Sequence, residues 1–227
     1  TCGIGESSLE EKIDNIINKQ TNPTIAPLAS KGEVQLRLTA KADNQGQAKR
    51  LLDEKERELQ EIIGEYIYGY NKDNLEKVVA QLLWNQNLTL AVAESCTGGL
   101  ISDRLTSVPG SSNYFERGLI SYSNQAKQDL LEVQEQTLID YGAVSDQTVK
   151  EMAKGIKKLA GTDLGLATTG IAGPGGGTSE KPVGLVYLAI ANDKEVISYQ
   201  YQFNGSRSQV KYLTSQMILN HLRLKLI

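Results

Sequence analysis

Near the start of the chain, Leu9, Ile13, Ile16 and Ile17 recur at helical spacing. Ser8 and Glu11 stand three apart there, the pattern of a capping box, and Asn22-Pro23 closes the segment. VQLRLTA, from Val34 to Ala40, alternates apolar and polar residues as a half-buried strand does. The period then returns to helical, with Ala48, Leu51, Leu52, Leu59, Ile62 and Ile63 on one face and Gly64 as the stop. YIYGY, from Tyr66 to Tyr70, is aromatic and β-prone. Asn71-Lys72-Asp73-Asn74 is polar and turn-like, and a domain boundary is expected there, giving a small α+β unit over 1–72 and a second domain over 73–227.

The second part has a different texture. Leu75, Val78, Val79, Leu82 and Leu83 predict a helix that leads into the apolar strand LTLAVA. Further strands are predicted at GLISYS, LGLATTG, GLVYLAIA and VISYQYQF. Helical patterns lie between several of them, one capped by Ser145 with Val149, Met152, Ala153, Ile156 and Leu159 inward. Strands alternating with helices predict a layered α/β domain. Nearly unbroken apolar strands imply a sheet covered on both faces, a three-layer α/β/α sandwich.

Composition narrows the function classes. The 227 residues carry a net charge of −3, so no strong field draws the chain to nucleic acid or an anionic membrane. No apolar run reaches the ~20 residues of a membrane span. No signal-peptide pattern opens the sequence, and Cys2 and Cys96 are too few for a disulfide framework. A cytoplasmic setting is therefore expected. The chain starts at Thr1 rather than Met, so a segment upstream is expected as well.

A single histidine, His221, would have to serve any Ser-His or Cys-His chemistry. It sits in a C-terminal helical pattern with Val210, Thr214 and Met217, and a structural role is the preferred reading. There is no HExxH and no CxxC, so metal chemistry is not expected.

Three segments can carry chemistry. In AESCTGG, Ser95 and Cys96 follow a strand and precede a helix with Leu100, Ile101 and Leu105. A helix start offers unpaired N–H groups to an oxyanion, and Gly98-Gly99 lets the backbone approach a ligand. The segment is either a nucleophile turn or a capped helix start built from small residues. A serine nucleophile needs a base, and with histidine set aside that base is a lysine. Lys127, in YSNQAK, falls in a helix's first turn, where the dipole disfavours a cation. To act as a base near pH 7 it must fall well below its ordinary ~10.4; otherwise it is a surface lysine. Ser123, four residues before it, is the reserve nucleophile. Gly170-Ile-Ala-Gly173-Pro-Gly175-Gly-Gly177 follows a strand and can present N–H groups to an anion, or is simply a flexible connection. It is neither a Walker A loop nor a GxGxxG. Arg207 opens the last helix, as a phosphate ligand or in solvent.

Together AESCTGG, FERGLISYSNQAK, YGAVSDQTV, TGIAGPGGG with KPVGLVYLA, and FNGSRSQV resemble, in order, the C-terminal domain of the CinA family. The segment from GIGESSLEEKI to VQLRLTA resembles the KH-like middle domain of full-length members. Those members also carry an N-terminal molybdopterin-binding-like domain, and the chain is expected to equal the last two of three domains. The resemblance implies a nicotinamide-nucleotide amidohydrolase that turns nicotinamide mononucleotide and water into nicotinate mononucleotide and ammonia. It implies Ser95 as nucleophile, Lys127 as base and Tyr122 as assisting hydroxyl, with no metal or cofactor. On chemical grounds more than motif, backbone N–H groups near Thr97 and Gly98 would hold the oxyanion, and the Gly173 to Gly177 loop, Gly175 included, with Arg207 would hold the ribose phosphate. A homodimer is also implied. The rival expectation is a non-catalytic nucleotide-sensing or nucleic-acid-binding protein. Against nucleic acid, the first unit has no GxxG, and Glu54, Glu56, Glu58 and Glu61 line its long helix.

Overall fold

The computed structural model describes residues Thr1–Ile227 as two compact units, Thr1–Asp73 and Asn74–Ile227. The first runs α1 (Glu6–Lys19), β1 (Thr24–Ser30), β2 (Glu33–Thr39) and α2 (Gln45–Ile63), then a 3-10 turn over Gly64–Tyr66. Leu9, Ile13 and Ile16 of α1 pack with Ile25 and Val34 of the antiparallel hairpin and with Leu59 and Ile63 of α2. Two local expectations fail here, and one strand lies where the sequence pattern named none. The helix starts at Glu6 with Gly5 as an N-cap lacking a side-chain bond, so Ser8 lies inside the helix and forms no capping box. TIAPLAS is a strand despite Pro27, which a two-stranded sheet tolerates because both strands are edges. YIYGY makes no strand; it runs from the 3-10 turn into irregular backbone.

The second unit is the α/β domain. It runs α3 (Leu75–Gln86), β3 (Leu90–Glu94), α4 (Leu100–Thr106), β4 (Phe115–Ile120), α5 (Asn124–Leu131), α6 (Glu135–Tyr141) and α7 (Asp146–Ala160). There follow β5 (Leu164–Gly170), β6 (Leu185–Ala191), β7 (Val196–Gln202) and α8 (Arg207–Leu226). The five-stranded sheet has the order β4-β3-β5-β6-β7. β3 is parallel to β4 and β5, and the β5–β6 and β6–β7 pairs are antiparallel. Ala91, Ala93, Ala167, Ala189 and Ala191 form one sheet face, and their small side chains let α7 press Val149, Met152, Ala153 and Ile156 onto it. On the other face Val186 meets Val210 of α8. Arg104 of α4, buried, reaches Glu76 at 2.9 Å, Ser215 Oγ at 2.8 Å and Gln216 Oε1 at 2.6 Å, which ties α3, α4 and α8 together.

A Cβ added at Gly155 of α7 would lie 2.0 Å from the Leu131 carbonyl oxygen at the end of α5, a backbone atom that cannot step aside. Gly155→Ala is therefore expected to cost about 1–3 kcal/mol in urea unfolding. His221 of α8 stacks on Tyr199 with ring centroids 3.5 Å apart, and its Nε2 lies 2.6 Å from the Tyr201 hydroxyl. Burial pushes its pKa down to about 4. The unfolded chain thus takes up the His221 proton near ~6.5 while the fold resists it. Stability present above that pH is lost as the pH falls toward 4. The thermal midpoint of His221→Gln should fall less over this window than that of the wild type.

Candidate active site

The order of the sheet reverses direction at β3, whose chain leaves one way to β4 and returns from the other side as β5. In open α/β sheets the crevice beyond the strand C-termini at such a point is where ligands bind. Ser95 is the first residue past β3, and its N–H donates to the Thr168 carbonyl of β5 at 3.0 Å. Thr97 Oγ1 lies 2.9 Å from Thr168 Oγ1, both groups fully buried. Gly98 (φ +60) and Gly99 (φ +96) occupy the left-handed region, which bends the chain sharply into α4 at little cost only for glycine.

Glu94 closes this turn. Its buried carboxylate accepts from the N–H of Gly99 (2.9 Å), Ile101 (3.1 Å) and Ser102 (2.8 Å), and from Ser102 Oγ (2.7 Å). It answers the positive end of α4, and no N–H of Thr97 or Gly98 is among its partners. Those two groups stay with the Ser95 turn as candidate oxyanion donors. Glu94 is not among the site residues expected from the sequence. The available signal was a carboxylate at the end of an apolar strand, five residues before the second glycine of a helix start.

Lys127 comes from α5. Ser123 caps that helix by accepting from the Ala126 N–H at 3.0 Å, which places Lys127 in the first turn, facing inward. Its Nζ stands 3.2 Å from Ser95 Oγ and donates to the carbonyls of Ser121 (2.9 Å) and Tyr122 (3.2 Å). The residue is 1% exposed and Ser95 is 7% exposed. No carboxylate pairs with the amine, and burial lowers its pKa below the usual lysine range. A neutral amine has two hydrogens for the two carbonyls and one lone pair, which this geometry leaves for the Ser95 hydroxyl.

The Tyr122 side chain is 60% exposed, and its hydroxyl accepts from Arg207 at 3.0 Å; what Tyr122 gives Lys127 is its carbonyl, not its hydroxyl. The other Arg207 nitrogen donates to the Gly173 carbonyl at 2.8 Å, so Arg207 links the glycine loop to Tyr122. Gly175 lies exposed on that loop, with no atom within 4 Å of where a Cβ would stand. Ser123 is exposed and occupied as the α5 cap, with no bond to Lys127 Nζ. Cys96 is buried, and burial foremost, then Glu94, pushes its thiol up to about 12 against the smaller pull of its own N–H, Lys127 and Lys211. It is therefore an inert packing thiol. Lys211, one turn after Arg207 on α8, was not singled out in the sequence; its Nζ lies 3.5 Å from where a Gly98 Cβ would stand. Its signal was the four-residue spacing from Arg207. No three or more His, Cys, Asp or Glu side chains converge as metal ligands. No helix is long and apolar enough to cross a membrane.

Known proteins match this chain over both units. Residues 72–226 match the CinA C-terminal domain, and residues 1–69 match the damage-inducible protein CinA KH domain. The chain is 51% identical over 225 residues to a putative competence-damage inducible protein of Caldicellulosiruptor bescii, covering 99% of this chain and 55% of that protein. It is 46% identical over 222 residues to a CinA-like protein of Dictyoglomus thermophilum, covering 98% and 54%. The chain thus spans about half the length of the curated relatives it matches. Among solved structures, the competence/damage inducible protein CihA of Agrobacterium tumefaciens is 38% identical with a TM-score of 0.63, over 68% of this chain and 96% of that one. The competence or damage-inducible protein of Enterobacter asburiae is 35% identical with a TM-score of 0.66, over 67% and 96%. The chain belongs to the CinA family, as a KH-like unit followed by a CinA C-terminal domain.

Proposed function

We propose that the second unit hydrolyses the carboxamide of nicotinamide mononucleotide to nicotinate mononucleotide and ammonia, with Ser95 as nucleophile and Lys127 as base. The observation that supports it most is the 3.2 Å approach of Ser95 Oγ and Lys127 Nζ in a buried setting without a carboxylate. Lys127 enters the reaction neutral and takes the Ser95 proton as Oγ adds to the carboxamide carbon. The oxyanion forms against the N–H groups of Thr97 and Gly98, which Glu94 leaves free by holding the next turn. Lys127 then returns the proton to the departing nitrogen, and the C–N bond breaks to release ammonia. A water deprotonated by Lys127 attacks the ester, and the proton goes back to Ser95 Oγ as nicotinate mononucleotide leaves. Arg207 holds the Gly173 loop and Tyr122 in register around the ribose side, and the exposed N–H groups near Gly175 remain available to it.

The acyl-enzyme is testable by partition. Hydroxylamine added to the reaction should divert part of the product to the hydroxamate of nicotinate mononucleotide, in proportion to its concentration. Carboxylate alone at all hydroxylamine concentrations would point to direct attack by water. The same reading takes the chain as a cytoplasmic homodimer, which sedimentation equilibrium checks for the association state. It assigns no nucleic-acid role to the first unit, whose sequence contains no GxxG clamp. Retention of single-stranded RNA at ~150 mM salt would overturn that assignment.

A further inference from the structure

Two cations lie one helical turn apart on α8, Arg207 against the glycine loop and Lys211 against the Ser95 turn, and they are not equivalent. The Arg207 guanidinium is committed: one nitrogen donates to the Gly173 carbonyl and the other to the Tyr122 hydroxyl. By bonding two separate segments Arg207 works as a strut between the glycine loop and the β4–α5 connection. The Lys211 amine has neither a hydrogen bond nor an ion pair within the chain. It is half-buried, and its ammonium stands over Gly98, where the missing side chain leaves the approach to the Ser95 turn open. The carboxylate of that turn, Glu94, is already saturated by four donors of its own loop and does not neutralise Lys211. A half-buried, unpaired ammonium beside a nucleophile turn favours an anionic ligand group.

We propose that Lys211 is the specificity-determining cation of the site and pairs with the phosphomonoester of the substrate, while Arg207 positions the loop. This rests on the deamidase reading and adds to it the residue that separates a phosphorylated nucleotide from its riboside. A point charge on a flexible stem suits a dianionic phosphate that arrives with the substrate.

The test separates binding from turnover. Nicotinamide mononucleotide and nicotinamide riboside are each titrated calorimetrically into Ser95→Ala protein, then into the same protein with Lys211→Met or Lys211→Arg. The methionine keeps the stem and its packing. The expected result is at least a tenfold loss of mononucleotide affinity with Lys211→Met, riboside affinity within twofold, and recovery to within about threefold with Lys211→Arg. In otherwise wild-type protein, Lys211→Met should raise KM for the mononucleotide by a similar factor and leave kcat within threefold. Equal losses for both ligands, no loss for either, or no binding of the mononucleotide at all would overturn the proposal. Lys211-dependent mononucleotide binding by a wild type that releases no ammonia would leave it standing and sink the deamidase reading instead.

Discussion

Ser95→Ala is expected to lower ammonia release from nicotinamide mononucleotide by at least about 10⁴-fold while leaving the fold intact, because loss of a covalent nucleophile removes the whole two-step route. The side chain lost is one hydroxyl whose hydrogen-bond partner is Lys127 Nζ, and the backbone bond from Ser95 N–H to Thr168 is untouched. The thermal midpoint should therefore change little. Affinity for the mononucleotide should persist, since no binding contact is assigned to the hydroxyl. Neighbouring Cys96 cannot rescue the variant, because its thiol is buried and held protonated. Retention of more than a hundredth of wild-type turnover would remove Ser95 from the nucleophile role. In that case Ser123 would need testing, although it is engaged as the α5 cap.

Lys127→Met is expected to cost about 10²–10⁴-fold in kcat, the range for a positioned general base. The pair acts as a unit, so Ser95→Ala with Lys127→Met should be no slower than Ser95→Ala alone. The pH profile carries the sign. The base works only when neutral, so kcat/KM in the wild type rises with pH and levels off above the Lys127 pKa. Burial holds that pKa below the usual lysine range, and the plateau should begin below ~10.4. Between the folded value and ~10.4 the unfolded chain binds the extra proton, so stability rises with pH across that window. Lys127→Met should remove both the rate inflection and this contribution to the stability slope. A flat wild-type rate profile from pH 6 to 9 would leave Lys127 either already neutral throughout or uninvolved, and the Lys127→Met rate decides between the two.

The layers of the second unit were legible in the sequence because local and global signals agree there. Ser145 caps α7 as expected, and of the face read as inward Val149, Met152, Ala153 and Ile156 pack on the sheet, while Leu159, in the last turn, is exposed. The hairpin of the first unit was half legible. VQLRLTA alternates cleanly, but TIAPLAS does not, and its pairing with β2 comes from tertiary contacts that override the proline signal. The approach of Ser95 to Lys127 was not readable from spacing. The residues are 32 apart, and they meet because β3 and β4 run parallel with Glu94 opposite Ile120, which sets the ends of both strands at one sheet edge. Family resemblance supplied the pairing before the geometry did. The direction of the Tyr122 hydroxyl, toward Arg207, depends on where α8 begins relative to the β4–α5 connection, and no local pattern encodes that. Glu94 and Lys211 carried only weak local signals. One is a carboxylate whose partners are all main-chain or neighbouring groups, and the other is a lysine on a long helix of mixed polarity.

The most direct measurement is ammonia release from nicotinamide mononucleotide by the purified chain, with the accompanying nucleotide quantified. The account predicts ammonia and nicotinate mononucleotide in equal amounts from the wild type, unaffected by chelator and abolished in Ser95→Ala. Intact nicotinamide mononucleotide after prolonged incubation with folded wild-type protein would contradict it.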